Sequence, residues 1–138
     1  SDSVVRERQA RVKIERPMPR VLAHPNTLVR VVQNLLTNAI KFVEQGRVPE
    51  VILRAEDKGN TIRLWIIDNG IGIAPEYQER IFEVFQRLHG SEEYPGNGLG
   101  LAIVKRAVER MNGQLGLISE VGEGSRFWIE LPTDTTEL

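Results

Sequence analysis

The sequence predicts an α+β domain in which one β-sheet is covered by helices on one face. Three observations predict it. Apolar residues recur with period two or period 3.6 in alternating blocks, in the order strand, helix, strand, strand, helix, helix, strand, strand. The 138 residues are 41% hydrophobic and 27% charged, an ordinary globular composition with length for one domain and a core of its own. No stretch approaches the roughly 18 consecutive apolar residues that a membrane-spanning helix needs.

The elements follow in chain order. The opening nine residues are charged and aperiodic and read as a connector, so residues 1–10 are set apart from a domain over 11–132 and a tail over 133–138. Arg11-Val12-Lys13-Ile14-Glu15 alternates polar and apolar, a short half-buried strand that Pro17 and Pro19 break. Asn26 is the expected N-cap of the most periodic segment. There Leu28, Val31, Val32, Leu35, Leu36, Ala39 and Ile40 fall on one helical stripe. Residues 51–56 and 61–68, rich in β-branched and aliphatic side chains, flank the turn signal Asp57-Lys58-Gly59-Asn60 and predict an antiparallel hairpin. Pro75 opens a short helix over 76–82. Residues 86–98, with three glycines and a proline, read as a mobile loop. A last helix over 99–111 buries Leu101, Val104, Val108 and Met111 and stops at Asn112-Gly113. Strands over 114–119 and 125–131 close the chain, with Phe127, Ile129 and Leu131 on one face and Arg126, Trp128 and Glu130 on the other. The sheet's second face is left to solvent or to a partner.

Composition excludes several functions. Lys+Arg 18 against Asp+Glu 19 gives a net charge of −1, too little field for a primary role in nucleic-acid binding. The chain has no cysteine, which removes disulfides, thiolate metal sites, iron–sulfur clusters and a cysteine nucleophile. The first eight residues hold no apolar run, so no signal peptide and no membrane contact are expected, and the protein is expected in the cytoplasm.

Three segments carry polar residues in patterns that packing does not require. On the first long helix Arg30, Asn34, Asn38 and Lys41 form a stripe roughly opposite the buried one. A solvated face is the ordinary explanation, but asparagine is a mediocre helix former, and two of them one turn apart weigh against it. An amide oxygen can bind Mg²⁺ without adding charge, and a lysine one turn on can meet a phosphate. The second segment is Asp68-Asn69-Gly70-Ile71-Gly72-Ile73, directly after a strand. It could simply end the strand in a glycine turn. As a site, its carboxylate would accept the amino group of adenine and repel the carbonyl of guanine. The third is Gly96-Asn97-Gly98-Leu99-Gly100-Leu101, whose free N–H groups and helix dipole suit phosphate. It has neither the context of a dinucleotide fingerprint nor a Walker A ending.

In this order and spacing, these segments resemble the boxes of the ATP-binding catalytic domain of sensor histidine kinases, most closely phytochrome-like and other soluble bacterial ones. Asn34-Leu35-Leu36-Thr37-Asn38-Ala39-Ile40-Lys41-Phe42 is similar to the N box, and residues 68–72 to the G1 box. Ile81-Phe82-Glu83-Val84-Phe85 is similar to the F box, residues 96–101 to the G2 box and Gly122-Glu123-Gly124-Ser125 to the G3 box. The resemblance runs from about residue 11 to 132. It implies the two-layer α/β sandwich with a mixed, mostly antiparallel sheet (the Bergerat or GHKL fold) shared with gyrase B, Hsp90 and MutL.

It also implies roles. Asn38 would hold Mg²⁺ on the phosphates of ATP, with Asn34, Asn38 and Lys41 the candidate catalytic residues. Asp68 would bind the adenine amino group, with Gly70, Gly72, Ile73 and Ser125 around the base. Gly96, Gly98, Leu99, Gly100 and Leu101 would approach the phosphates, with Lys41 and Arg87 as further phosphate contacts. Phe82 and Phe85 would pack the root of the lid. In related ATPases and serine kinases a Glu stands one turn before the Mg²⁺-binding Asn as general base. Here that position is Asn34, which cannot take a proton. Neither His24 nor His89 sits in a long amphipathic helix before an acidic residue and a proline, as the family's acceptor histidine does. The implied partners are therefore a histidine-bearing dimerisation hairpin N-terminal to this segment in a homodimeric protein, and a response-regulator receiver domain. A serine kinase or ATPase of the same superfamily, and a non-catalytic nucleotide-binding docking module, are the alternatives.

Overall fold

In the computed structural model, which describes residues 5, 6, 8–83 and 99–134, five strands form one sheet. They are β1 (Arg11–Ile14), β2 (Glu50–Asp57), β3 (Thr61–Asp68), β4 (Gln114–Glu120) and β5 (Gly124–Pro132), in spatial order β1-β2-β3-β5-β4. β1 runs parallel to β2, and every other pairing is antiparallel. The α-helices packed on the sheet among the described residues include α1 (Pro25–Lys41), the four-residue α2 (Pro75–Gln78) and α3 (Leu99–Arg110), and Val5, Arg6 and Arg8 are helical as well. The mixed, mostly antiparallel α+β sandwich read from the sequence is the observed fold.

Local chemistry sets the element ends. Asp57 Oδ1 accepts the Gly59 N–H at 2.9 Å, and the Lys58 N–H donates to the Thr61 carbonyl at 2.9 Å, closing the β2–β3 hairpin. α1 starts two residues before the expected position, so Asn26 is not its cap. Pro25 takes the first helical position and His24 the cap position, at φ −88° and ψ 114°, with no side-chain hydrogen bond. Proline's fixed φ suits a first turn, and its ring holds the preceding residue extended. The helix expected over 76–82 is two pieces, α2 and a 3-10 turn at Arg80–Phe82. In that turn Ile81 is buried and Phe82 meets Phe127 edge-on, with ring centroids 6.2 Å apart. α3 ends as expected, with Asn112 at φ +62° and the Gly113 N–H donating to the Val108 carbonyl at 2.9 Å.

The core lies between the helices and one sheet face. Val31, Leu35, Ala39 and Ile40 of α1 pack with Val104 and Val108 of α3 over Val51, Leu53, Ile66, Phe127, Ile129 and Leu131. Each of the larger aliphatic side chains, fully buried, contributes on the order of 2 kcal/mol. The stripe bearing Asn34 and Asn38 borders this buried surface instead of lying opposite it, because the buried arc of α1 is wide. Both asparagines are half-buried.

The opposite sheet face carries a layer of its own. Trp65 and Trp128 are register partners, and the Arg63 guanidinium lies 3.7 Å from the centre of the Trp128 ring and 5.6 Å from that of Trp65. Arg63 Nε donates to Glu130 Oε1 at 2.7 Å, and Trp65 Nε1 donates to Glu56 Oε1 at 3.1 Å. Toward the N-terminus, Val5 and Ala10 pack against the core, and Arg8 donates to the carbonyls of Ile40 at 3.3 Å and Val43 at 3.1 Å, at the end of α1. Among the described residues no helix is long and apolar enough to cross a membrane.

Candidate functional site

A cleft opens where the end of β3, the start of β5, the last turns of α1 and the first turn of α3 meet. Its walls are Asn38, Phe42, Asp68, Ile71, Gly72, Ile73, Leu101, Ser125 and Phe127. Apolar walls with a few convergent polar groups are what a flat heteroaromatic ligand needs.

Among the described residues that line the cleft, Asp68 is the charged one. Its Oδ1 accepts two backbone N–H groups, from Gly70 at 2.9 Å and Ser125 at 3.0 Å. Burial raises its pKa to about 6, and these two hydrogen bonds, which favour the charged form, only partly offset the desolvation. The carboxylate is mostly ionised at neutral pH. Both of these hydrogen bonds are made at Oδ1, and among the described residues no donor engages Oδ2.

The loop after Asp68 is held by close backbone contact with the β4–β5 turn. Gly72 has φ +77°, and a Cβ there would collide with the Glu120 carbonyl. Gly124 has φ +85°, and a Cβ there would collide with the Asp68 carbonyl. Both positions combine a left-handed backbone with no room for a side chain, so both demand glycine. The Gly122 N–H donates to the Ile71 carbonyl at 2.8 Å, and the Ile71 N–H to the Phe42 carbonyl at 2.9 Å, tying the loop to both the turn and α1. Gln78 Nε2 clamps the carbonyls of Ile73 at 2.7 Å and Ser119 at 3.0 Å.

Of the residues singled out in the sequence, Asn38, Asp68, Gly72, Ile73, Leu101 and Ser125 border the cleft together. Gly70 stands behind Asp68 and supplies an N–H to it. Asn34, Lys41 and Gly100 do not line the cleft; the first two lie on α1 and the last in the first turn of α3. Leu99 opens α3. Arg87, Gly96, Gly98, Phe85 and His89, and the whole of the loop expected over 86–98, lie outside the described residues. Sequence reasoning missed the roles of Phe42, Ile71 and Phe127 as walls, and of Ser119 and Gln78 as supports. Phe42 could have been found one turn after Asn38; Ser119 and Gln78 left no sequence signal.

Asn38 offers a neutral amide oxygen. Among the described residues no three His, Cys, Asp or Glu side chains group to hold a metal ion. That donor set fits Mg²⁺ shared with a ligand's phosphates and water, not an ion caged by protein.

Residues 23–135 match the family of histidine kinase-, DNA gyrase B-, and HSP90-like ATPases, HATPase_c. The chain belongs to the HATPase_c family. This HATPase_c domain is 40% identical over 121 residues to cyanobacterial phytochrome A of a Nostoc species, covering 88% of this chain and 16% of that protein. It is 47% identical over 108 residues to the sensor histidine kinase AruS of Pseudomonas aeruginosa, covering 75% of this chain and 11% of the relative. The chain thus spans about a sixth or less of the length of these two curated relatives. Among solved structures, the mycobacterial sensor histidine kinase MprB superposes with a TM-score of 0.82 at 31% identity, over 96% of this chain and 90% of that one. Full-length ShkA in complex with AMPPNP superposes with a TM-score of 0.79 at 34% identity, over 99% of this chain and 28% of that one. This is a HATPase_c domain of the sensor histidine kinase type.

Proposed function

We propose that the cleft binds Mg-ATP and that the domain transfers the γ-phosphoryl group to a histidine on a dimerisation hairpin outside these residues. One observation carries the reading: Asn38 of α1, Asp68 at the end of β3, Ser125 of β5 and Leu101 of α3 border the same cleft. Asp68 Oδ2 receives the 6-amino group of adenine, which a 6-oxo group cannot supply. Gly70, Gly72, Ile73 and Ser125 surround the base. The start of α3, with Leu99, Gly100 and Leu101, faces the phosphates, helped by Lys41, Arg87, Gly96 and Gly98. The ShkA neighbour, solved with AMPPNP, supports a nucleotide as ligand.

Asn38 would hold Mg²⁺, which when bound neutralises phosphate charge and fixes the γ-phosphoryl group. Asn34, a neutral amide where a general base would stand, leaves water unactivated. A neutral imidazole is already a nucleophile, so transfer to histidine proceeds by positioning: the P–N bond forms as the bond to the ADP oxygen breaks. In the whole protein we place residues 11–132 as the catalytic domain, residues 1–10 as the connector from the hairpin and 133–138 as a tail. A receiver domain would take the phosphoryl group onward, in a homodimer of the bacterial cytoplasm. The test mixes this domain with Mg-ATP and candidate histidine hairpins. Acid-labile phosphate on a hairpin is expected; ATP hydrolysis at the rate of a dedicated ATPase with no hairpin labelled would overturn the reading.

A further inference from the structure

Ser119, on β4, does not line the cleft, yet its hydroxyl meets three groups around it. Ser119 Oγ accepts the Ile73 N–H at 2.8 Å, donates to the Gly124 carbonyl at 3.0 Å and lies 2.8 Å from Ser125 Oγ. A hydroxyl has one proton and two lone pairs. With the proton given to Gly124 and one lone pair taken by Ile73, the contact with Ser125 is filled by the proton of Ser125. Ser125 is 6% exposed and borders the cleft beside Asp68, so its proton direction matters there. Committed to Ser119, Ser125 presents only lone pairs to a ligand. Asp68, ionised, also presents only lone pairs.

We propose that Ser119 is a positioning residue which, by fixing the proton direction of Ser125, makes the cleft prefer a 6-aminopurine over a 6-oxopurine nucleotide. This rests on the cleft being the base site. An amino group brings two N–H donors to two acceptors, whereas an oxo group meets acceptors with an acceptor. Freed from Ser119, the Ser125 hydroxyl can rotate and donate to a 6-oxo group, and discrimination relaxes. A merely structural serine would behave differently: its loss would loosen the Ile73 loop and weaken every nucleotide alike.

The experiment is titration calorimetry of the chain with Mg-ATP and Mg-ITP, on the parent and on Ser119→Ala, Ser119→Thr and Ser125→Ala. The ratio of ATP to ITP affinity is expected to fall about tenfold in Ser119→Ala, the scale of one hydrogen bond within a discriminating site. Ser119→Thr, which keeps the hydroxyl, should retain the ratio. Ser125→Ala should narrow it as well, and a Ser119→Ala, Ser125→Ala double variant should show no further change. An unchanged ratio in Ser119→Ala overturns the proposal, as does an unchanged ratio in Ser125→Ala should the first variant not fold. Asp68→Asn separates the two levels: if it binds ATP like the parent, the base-site reading itself fails.

Discussion

Asp68 Oδ1 accepts the Ser125 backbone N–H at 3.0 Å, joining the end of β3 to the start of β5 across 57 positions of sequence. The bond pins the residue that would recognise a base to the strand that walls it. It also keeps a carboxylate in a place where burial opposes its charge. Stability and ligand recognition therefore pull Asp68 in opposite directions.

Asp68→Asn is expected to stabilise the ligand-free protein while removing nucleotide binding. The folded pKa of about 6 lies above the ordinary 3.8, so the native state holds this proton more tightly than the unfolded chain does. The stabilising contribution is complete below 3.8 and is lost as pH rises through 6. At pH 8 the neutral amide recovers roughly 2–3 kcal/mol of it. Thermal melts with and without ATP check both halves: a higher melting temperature alone, and a ligand-induced shift that disappears.

ATP affinity should be constant above about pH 7 and fall by up to tenfold for each unit below about pH 6, as Asp68 takes up a proton and Oδ2 stops being a dedicated acceptor. Calorimetry over pH 5–8 gives the profile, with Asp68→Asn as the reference for titration of the nucleotide's own phosphates. A parent profile parallel to that of the variant contradicts the assignment.

Gly72→Ala should cost at least about 2 kcal/mol, because left-handed backbone strain adds to a collision with the Glu120 carbonyl. Urea denaturation measures it. Gly46→Ala, also at positive φ but with nothing near a Cβ, isolates the strain from the collision.

Asn38→Ala should separate base from phosphate recognition. Adenosine affinity is expected to stay within about twofold, while Mg-ATP affinity falls about tenfold and loses its dependence on Mg²⁺, as removal of one amide ligand implies. Equal loss for both ligands would mean that Asn38 only shapes the cleft.

Arg63→Ala should lower stability by about 1–2 kcal/mol through its lost stacking on Trp128 and its bond to Glu130. ATP affinity should not change, since the cluster lies on the far sheet face. Paired urea and calorimetry measurements test the two statements together.

The secondary structure was largely legible because each segment keeps one hydrophobic period. The 3.6-residue stripe from Leu28 to Ile40 fixes α1, and alternation in 125–131 fixes the buried face of β5. Asp68 was legible as a carboxylate between a strand and two glycines. What stayed hidden depends on partners distant in sequence. Ser119 meets Ile73 46 positions away, and Gln78 reaches Ser119 41 positions away, so no local pattern marks either. The start of α1 was misplaced because the conformational restriction of Pro25 outweighs the capping preference of Asn26. The asparagine stripe was set on the wrong side because a helix wedged between a sheet and another helix buries more than one narrow face.

Both tryptophans of the chain, Trp65 and Trp128, sit behind the sheet, with the strands themselves separating their indoles from the cleft. Their emission will follow unfolding and stay blind to occupancy. An optical titration of this protein therefore calls for a dye-bearing nucleotide or a fluorophore engineered at the mouth of the cleft.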